Sequence, residues 1–263
     1  MDLGIRNRVA LVAASSRGLG KAIAAAFCRE GAKVVICARD EARLLEAREA
    51  IARETGGEVR AFRADVTDDT DVKELVRFAA SEFGSVDILV GNAGGPPSGL
   101  ADDFRPDDYR KALELNLLST IRLCYEVIPL MKKSHWGRIV ALTSVSAKQP
   151  IDSLILSNTA RAGVLGFVKS LSNQLAGFGI TANCLCPGYT RTERVEGLAK
   201  AFAEKGLGTP QDYYSRLEKA IPLGRLGKPE EVAAAAVFLA SEAAAYITGI
   251  ALQVDGGFIR GLF

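Results

Sequence analysis

The sequence predicts an α/β fold, a Rossmann-like doubly wound parallel sheet of about seven strands with helices on both faces. Two observations carry this expectation. Short β-branched runs alternate with longer amphipathic runs from one end of the chain to the other, and strict alternation places consecutive strands parallel, joined by right-handed crossovers. A glycine-bearing turn, Ala13-Ala14-Ser15-Ser16-Arg17-Gly18-Leu19-Gly20, follows the first β-branched run and leads into a helical pattern.

Taken in order, strands are expected at Val9–Ala13, Lys33–Cys37, Glu58–Ala64, Val86–Val90, Arg138–Thr143, Thr181–Leu185 and Ile250–Val254. Helices are expected at Gly18–Glu30, Glu41–Glu54, Thr70–Phe83, Pro106–Lys132, Ser153–Gly177 and Pro229–Ala240. Asp40 stands where an N-cap should, and Gly31 ends the first helix. No linker, low-complexity tract or short repeat divides the 263 residues, so one domain spans 1–263. The stretch Tyr189–Pro222 breaks the rhythm with aromatic and apolar residues among many charges. It reads as a helical lid over a substrate pocket.

Composition excludes several functions. Hydrophobic residues make up 48% and charged residues 24%, the balance of an ordinary globular protein. The formal net charge is +2 with no basic stripe, which argues against nucleic acid or an anionic membrane as a partner. The start lacks the apolar core of a signal peptide and no apolar run is long enough to span a bilayer, so a cytoplasmic location is expected. Five cysteines without a Cys-x-x-Cys pair read as small buried hydrophobes. The single histidine, His135, lies in a polar turn before a strand, at the wrong sheet end for catalysis, and no metal site is expected.

The ordered motifs are more specific. In the first turn, glycines let the backbone turn sharply and approach a pyrophosphate that the helix N-terminus stabilises. Asp65-Val66 follows the third strand and Gly91-Asn92-Ala93-Gly94 the fourth; Asn116 lies within the long helix, Ser144 ends the fifth strand, and Pro187-Gly188 ends the sixth with Thr190 and Thr192 beyond. Tyr246-Ile247-Thr248-Gly249 and Val254-Asp255-Gly256-Gly257 flank the last strand. Along its whole length the chain resembles the short-chain dehydrogenase/reductase family, and is most similar to bacterial 3-oxoacyl-(acyl-carrier-protein) reductases. Ala13 and Ala14 depart from the family's threonine and first glycine, and Gly91 from its leading asparagine. A methyl at residue 14 is expected only where its backbone keeps a negative φ.

The resemblance implies a dinucleotide held by Ala14, Ser16, Arg17, Gly18, Leu19, Gly20, Arg39, Asp65, Val66, Asn92, Ala93, Gly94, Arg161, Pro187, Gly188, Thr190 and Thr192. NAD-preferring members carry an acid at the end of the second strand. Here Ala38 and Arg39 stand there, with Arg17 approaching the same corner. Guanidinium forks suit a 2′-phosphate, so NADP(H) is favoured over NAD(H). The implied reaction is hydride transfer to a carbonyl, of a ketone or a 3-oxoacyl thioester, or from a secondary alcohol. A homotetramer or homodimer is implied as well, with Ala160, Ala162, Gly163 and Gly166 permitting close helix approach.

The catalytic positions depart from the family. Ser144 and Asn116 match, but Ser157 and Arg161 occupy the places of the proton-donating tyrosine and its lysine. An aliphatic hydroxyl is a weak, short acid, and a guanidinium does not readily pass on a proton. Lys148 and Tyr189 are the candidate substitute donors that could lean into the vacated space, and a proton from the substrate or from water is the other source left open. The alternative is a catalytically silent dinucleotide-binding protein. Tyr109, Tyr125 and Tyr246 are expected to be ordinary helix-packing residues.

Overall fold

Strands β1 (Val9–Val12), β2 (Lys33–Ala38), β3 (Val59–Arg63), β4 (Ile88–Gly91), β5 (Gly137–Leu142), β6 (Ile180–Pro187) and β7 (Ala251–Val254) form one sheet in the computed structural model, which describes residues 2–262. The order is β3-β2-β1-β4-β5-β6-β7 and every neighbouring pair is parallel. The chain reverses direction of travel between β3 and β4, so a topological switch lies beside β1, where such sheets bind ligands at their carboxyl edge.

Side chains of a strand alternate between faces, and the core divides accordingly. Leu11, Val35 and Cys37 face one layer with Leu75 and Val76 of α3 (Asp69–Phe83), Leu123 and Val127 of α5 (Ser119–Ser134), and Val164 and Val168 of α6 (Ile155–Leu175). Ala10, Val12, Val34 and Ile36 face the other. There they meet Ile23 and Phe27 of α1 (Gly18–Arg29), Leu44 and Ile51 of α2 (Glu41–Thr55), and Val232 and Val237 of α9 (Pro229–Leu239). Both strand faces of the central sheet are covered, which is why its strands read as continuous apolar runs.

The long helix expected at Pro106–Lys132 is interrupted. It consists of α4 (Pro106–Leu113), one π turn at Glu114–Leu118, and α5. The stretch after β6 forms two helices, α7 (Glu193–Glu204) and α8 (Pro210–Ala220), whose Val195, Leu217, Tyr213 and Tyr214 pack with Leu226 and Tyr189 in a small cluster of their own. All five cysteines are buried and free. His135 caps the C-terminal end of α5 in the left-handed region, at the amino end of β5. No described helix is long and apolar enough to cross a membrane.

Two expectations about packing are corrected. Tyr109 packs partly buried beside Ala112 and Ala160, but Tyr125 is 69% exposed and Tyr246 is fully exposed, so neither packs within this chain. Ala160 is buried, and a Cβ on Gly163 would meet the Leu117 side chain at 3.0 Å. Those two small residues serve packing inside the chain, whereas Ala162 is exposed and Gly166 faces open space.

Candidate active site

The carboxyl ends of β1 to β6 open into one cleft of about 710 Å³, within the range of about 300–1,000 Å³ usual for ligand sites. All seventeen residues expected at a dinucleotide line it, from Ala14 to Thr192. Ser144, Ser157 and Tyr189 line it too, while Asn116 and Lys148 do not.

The β1–α1 turn forms one end. Asn92 Nδ2 donates to the carbonyls of Ala13 (3.1 Å) and Ala14 (3.2 Å), fixing the turn to the loop after β4. Gly20 is needed sterically, because a Cβ there would stand 2.5 Å from the Ala14 carbonyl and 2.9 Å from Asn92 Nδ2. Ala14 itself lies at φ 47°, contrary to the negative φ expected of a residue with a methyl group. The turn keeps its left-handed geometry because its flanking hydrogen bonds outweigh the local strain.

The start of α1 shows what this end is suited to hold. Asp40 caps α2 and Asp68 caps α3 with their carboxylates, but no side chain caps α1, whose N-cap is Arg17. Its first backbone N–H groups are left to meet a ligand, and they carry the positive end of the helix dipole. Uncapped donors at a glycine turn fit the diphosphate of a dinucleotide.

Arginines surround the neighbouring corner at the end of β2. Arg39 is largely exposed with its guanidinium 3.8 Å from Asp65, and Arg17 pairs with Glu193 at the start of α7. Arg43, in the first turn of α2, also reaches the cleft and was not anticipated; its place three residues after the Asp40 cap is the signal that would have found it. Partial burial alone would raise the Asp65 carboxyl, but hydrogen bonds from Thr67 and the charges of Arg39 and Arg63 hold it below the ordinary carboxylate value.

The other end of the cleft is built on β5, α6 and the segment after β6. Ser144 accepts from the backbone N–H of Ser146 at 3.1 Å, which orients its hydroxyl at the cleft wall. Ser157 is buried and shares a hydrogen bond of 3.2 Å with the hydroxyl of Ser146, two residues beyond Ser144 in the chain. Arg161, one helical turn later, donates through Nη1 to the carbonyls of Thr143 (2.9 Å) and Leu142 (3.3 Å). Burial, assisted by the charge of Arg194, pushes its pKa down to about 10, so it remains a cation at neutral pH.

Lys148 does not fill the vacated space. Its ammonium donates instead to the Ala251 carbonyl of β7 at 3.4 Å, and Lys148, at the C-terminal cap of the short helical turn Val145–Ala147, is outside the cleft lining. Asn116 sits in the π turn, where Nδ2 donates to the Gly94 carbonyl at 2.8 Å and Oδ1 is buried without a partner. It positions the loop after β4 rather than facing the cleft. Tyr189 does line the cleft, edge-on to Phe258 with ring centroids 5.3 Å apart. Burial, and then the negative charge of Asp152, raise its phenol above the usual value. It is the one phenol in the lining among the described residues.

Arg194 is the second residue that sequence reasoning missed. It lies two positions beyond Thr192, and its guanidinium lies over Gly95 and donates to the Pro96 carbonyl at 2.7 Å. Pro187 ends β6 and Gly188 follows it, where a Cβ would stand 2.7 Å from Cβ of Asp255.

Comparison with known proteins matches this architecture. A family model described as Enoyl-(Acyl carrier protein) reductase covers residues 13–259. The 3-oxoacyl-[acyl-carrier-protein] reductase FabG of Escherichia coli is 34% identical over 255 residues, covering 97% of this chain and 98% of the relative. The 3-oxoacyl-[acyl-carrier-protein] reductase of Synechocystis is 36% identical over 253 residues, covering 96% and 97%. L-sorbose reductase from Gluconobacter frateurii, solved with NADPH and L-sorbose, superposes with a TM-score of 0.94 at 33% identity over 100% of both chains. The chain belongs to the short-chain dehydrogenase/reductase family.

Proposed function

We propose that the protein is an NADP(H)-dependent oxidoreductase that reduces the carbonyl of a ketone or 3-oxoacyl compound, or oxidises the corresponding secondary alcohol. One observation carries this reading: a single cleft joins an uncapped helix N-terminus, an arginine-rich corner and the Ser144 hydroxyl. The relatives named above include 3-oxoacyl reductases and an enzyme solved with NADPH. The α1 N-terminus would hold the diphosphate, and Arg17, Arg39 and Arg43 the 2′-phosphate, for which a guanidinium fork is well shaped. Asp65 and Val66 would border the adenine, and Asn92 to Gly94 with Pro187 to Thr192 the rest of the nucleotide.

When bound, the reduced nicotinamide supplies the hydride. Ser144 holds the carbonyl oxygen, and Arg161 offsets the negative charge that grows on it as the carbonyl bond opens. Tyr189 gives its phenolic proton to that oxygen and is reprotonated from solvent; its raised pKa keeps it in the acid form at neutral pH. Ser157, tied to Ser146, takes no proton. Helices α7 and α8 act as a lid over the substrate, linked to the phosphate turn by Arg17–Glu193 and to the loop after β4 by Arg194. We place the protein in the cytoplasm. The exposed Tyr125, Tyr246 and Ile250 suit a homotetramer or homodimer.

The test is NADPH oxidation across a panel of ketones and 3-oxoacyl thioesters. Turnover is expected, and Tyr189→Phe should lower kcat by about 10²–10⁴, the usual loss on removing a positioned acid. A second reading, a silent dinucleotide-binding protein, draws on the engagement of Ser157 and Arg161 by protein partners. Bound cofactor with no turnover on the whole panel would favour it.

A further inference from the structure

We infer that the ketone taken by this cleft carries a carboxylate, gripped by Arg161 and Arg194. The inference rests on the reductase reading and adds the substrate class to it. Five arginines line the cleft: Arg17, Arg39, Arg43, Arg161 and Arg194. Its lining acids are Asp40, Asp65 and Glu193. These acids partner the first three arginines, as Arg43–Asp40 (3.5 Å), Arg39–Asp65 (3.8 Å) and Arg17–Glu193. Arg161 and Arg194 have no carboxylate within 4.0 Å among the described residues.

The unpaired cations lie away from the arginine corner at the end of β2, Arg161 at the Thr143 carbonyl and Arg194 at the Pro96 carbonyl. Glu193 and Arg194 are adjacent on α7, so their side chains diverge by about 100°. Glu193 turns to Arg17 at the phosphate turn, whereas Arg194 turns to Gly95 and Pro96. Arg161 rises from α6 against the carbonyls of Leu142 and Thr143, directly beside Ser144. Each guanidinium uses carbonyls for only part of its donor set, since each offers five N–H groups. Both line the same cleft, and burial is the first cause that lowers the pKa of each. A buried cation without a counter-charge is costly, and a ligand carboxylate removes that cost. Asp152, the nearest further acid to Tyr189, is exposed and pairs with neither arginine. Asp255, which faces Cys186, spends its carboxylate on the backbone of Gly257 and Ile259.

The cleft has apolar lining as well: Ile151, Leu154, Val195 and Leu198. The fitting substrate is therefore an oxo acid with an aliphatic body, its ketone at Ser144 and its carboxylate at the arginine pair.

The direct test is calorimetric titration of the protein saturated with NADP⁺ with 2-, 3- and 4-oxohexanoate and their methyl esters. At least one acid should bind about 100-fold more tightly than its ester, as expected for a bidentate charged contact. Arg194→Met should bring that ratio below about 10-fold, and Arg194→Lys, which keeps the charge, should recover part of it. Equal binding of acids and esters would overturn the inference. So would an Arg194→Met variant that loses NADPH affinity while its acid-to-ester ratio stays unchanged, since Arg194 would then serve the nucleotide. Oxidation of NADPH by neutral ketones alone would refute the carboxylate and leave the reductase standing. Acid-selective binding without any NADPH oxidation would uphold the anion site and remove the reductase.

Discussion

Ala14 holds its methyl group at φ 47°, where an L-residue costs about 1–2 kcal/mol. Ala14→Gly should relieve this strain, offset in part by about 0.4–1 kcal/mol for the greater freedom of an unfolded glycine, and raise Tm by about 1–4 °C. Thermal melts followed by circular dichroism check it; an unchanged or lower Tm would show that the turn is not strained. Arg161 gives the second residue-scale prediction. Its pKa near 10 keeps the cation below that pH and loses it above, so kcat/KM should fall as pH rises through about 10. Tyr189 also titrates on the alkaline side, so the profile should be repeated in Tyr189→Phe, where the limb near pH 10 should persist in the residual rate. Most cleft residues were legible because backbone turns and glycines must occupy fixed places. Arg194 and the direction of Lys148 were not, because a long side chain's aim depends on neighbours distant in sequence.

At the level of elements, the β1–α1 connection is the most constrained. Gly20→Ala would drive a methyl into the Ala14 carbonyl and the Asn92 amide, both of which are held by hydrogen bonds. The expected result is NADPH affinity weakened by at least about tenfold, a cost of about 1.4 kcal/mol, in a fluorescence titration. Wild-type affinity would mean that the turn does not contact the nucleotide. Strands and helices of this region could be read from the sequence to within a residue or two, because burial on both faces leaves continuous apolar runs bounded by caps. The π turn at Glu114–Leu118 could not, since one extra residue in a helix hardly disturbs an amphipathic pattern. Its consequence is functional: it turns Asn116 inward to hold Gly94.

The whole molecule is a sheet whose carboxyl edge carries one divided cleft. One end has an uncapped helix start and arginines neutralised by Asp40, Asp65 and Glu193; the other has Ser144, Tyr189 and two uncompensated guanidiniums. The alternation of β and α segments was enough to predict the architecture, and the ordered turns were enough to predict which residues line the cleft. The chemistry of the second end was only half legible. Ser157 and Arg161 could be named from the sequence's resemblance alone, but only the folded chain brings Arg194 from the segment after β6 into the same cleft. The claim on which the account depends is that this cleft holds a phosphorylated nicotinamide nucleotide. Titration of the protein with NADPH and NADH, followed by the coenzyme's fluorescence, tests it most directly. Saturable binding is expected, at least about tenfold tighter for NADPH, with the preference lost in Arg39→Asp; no saturable binding of either coenzyme would contradict the account.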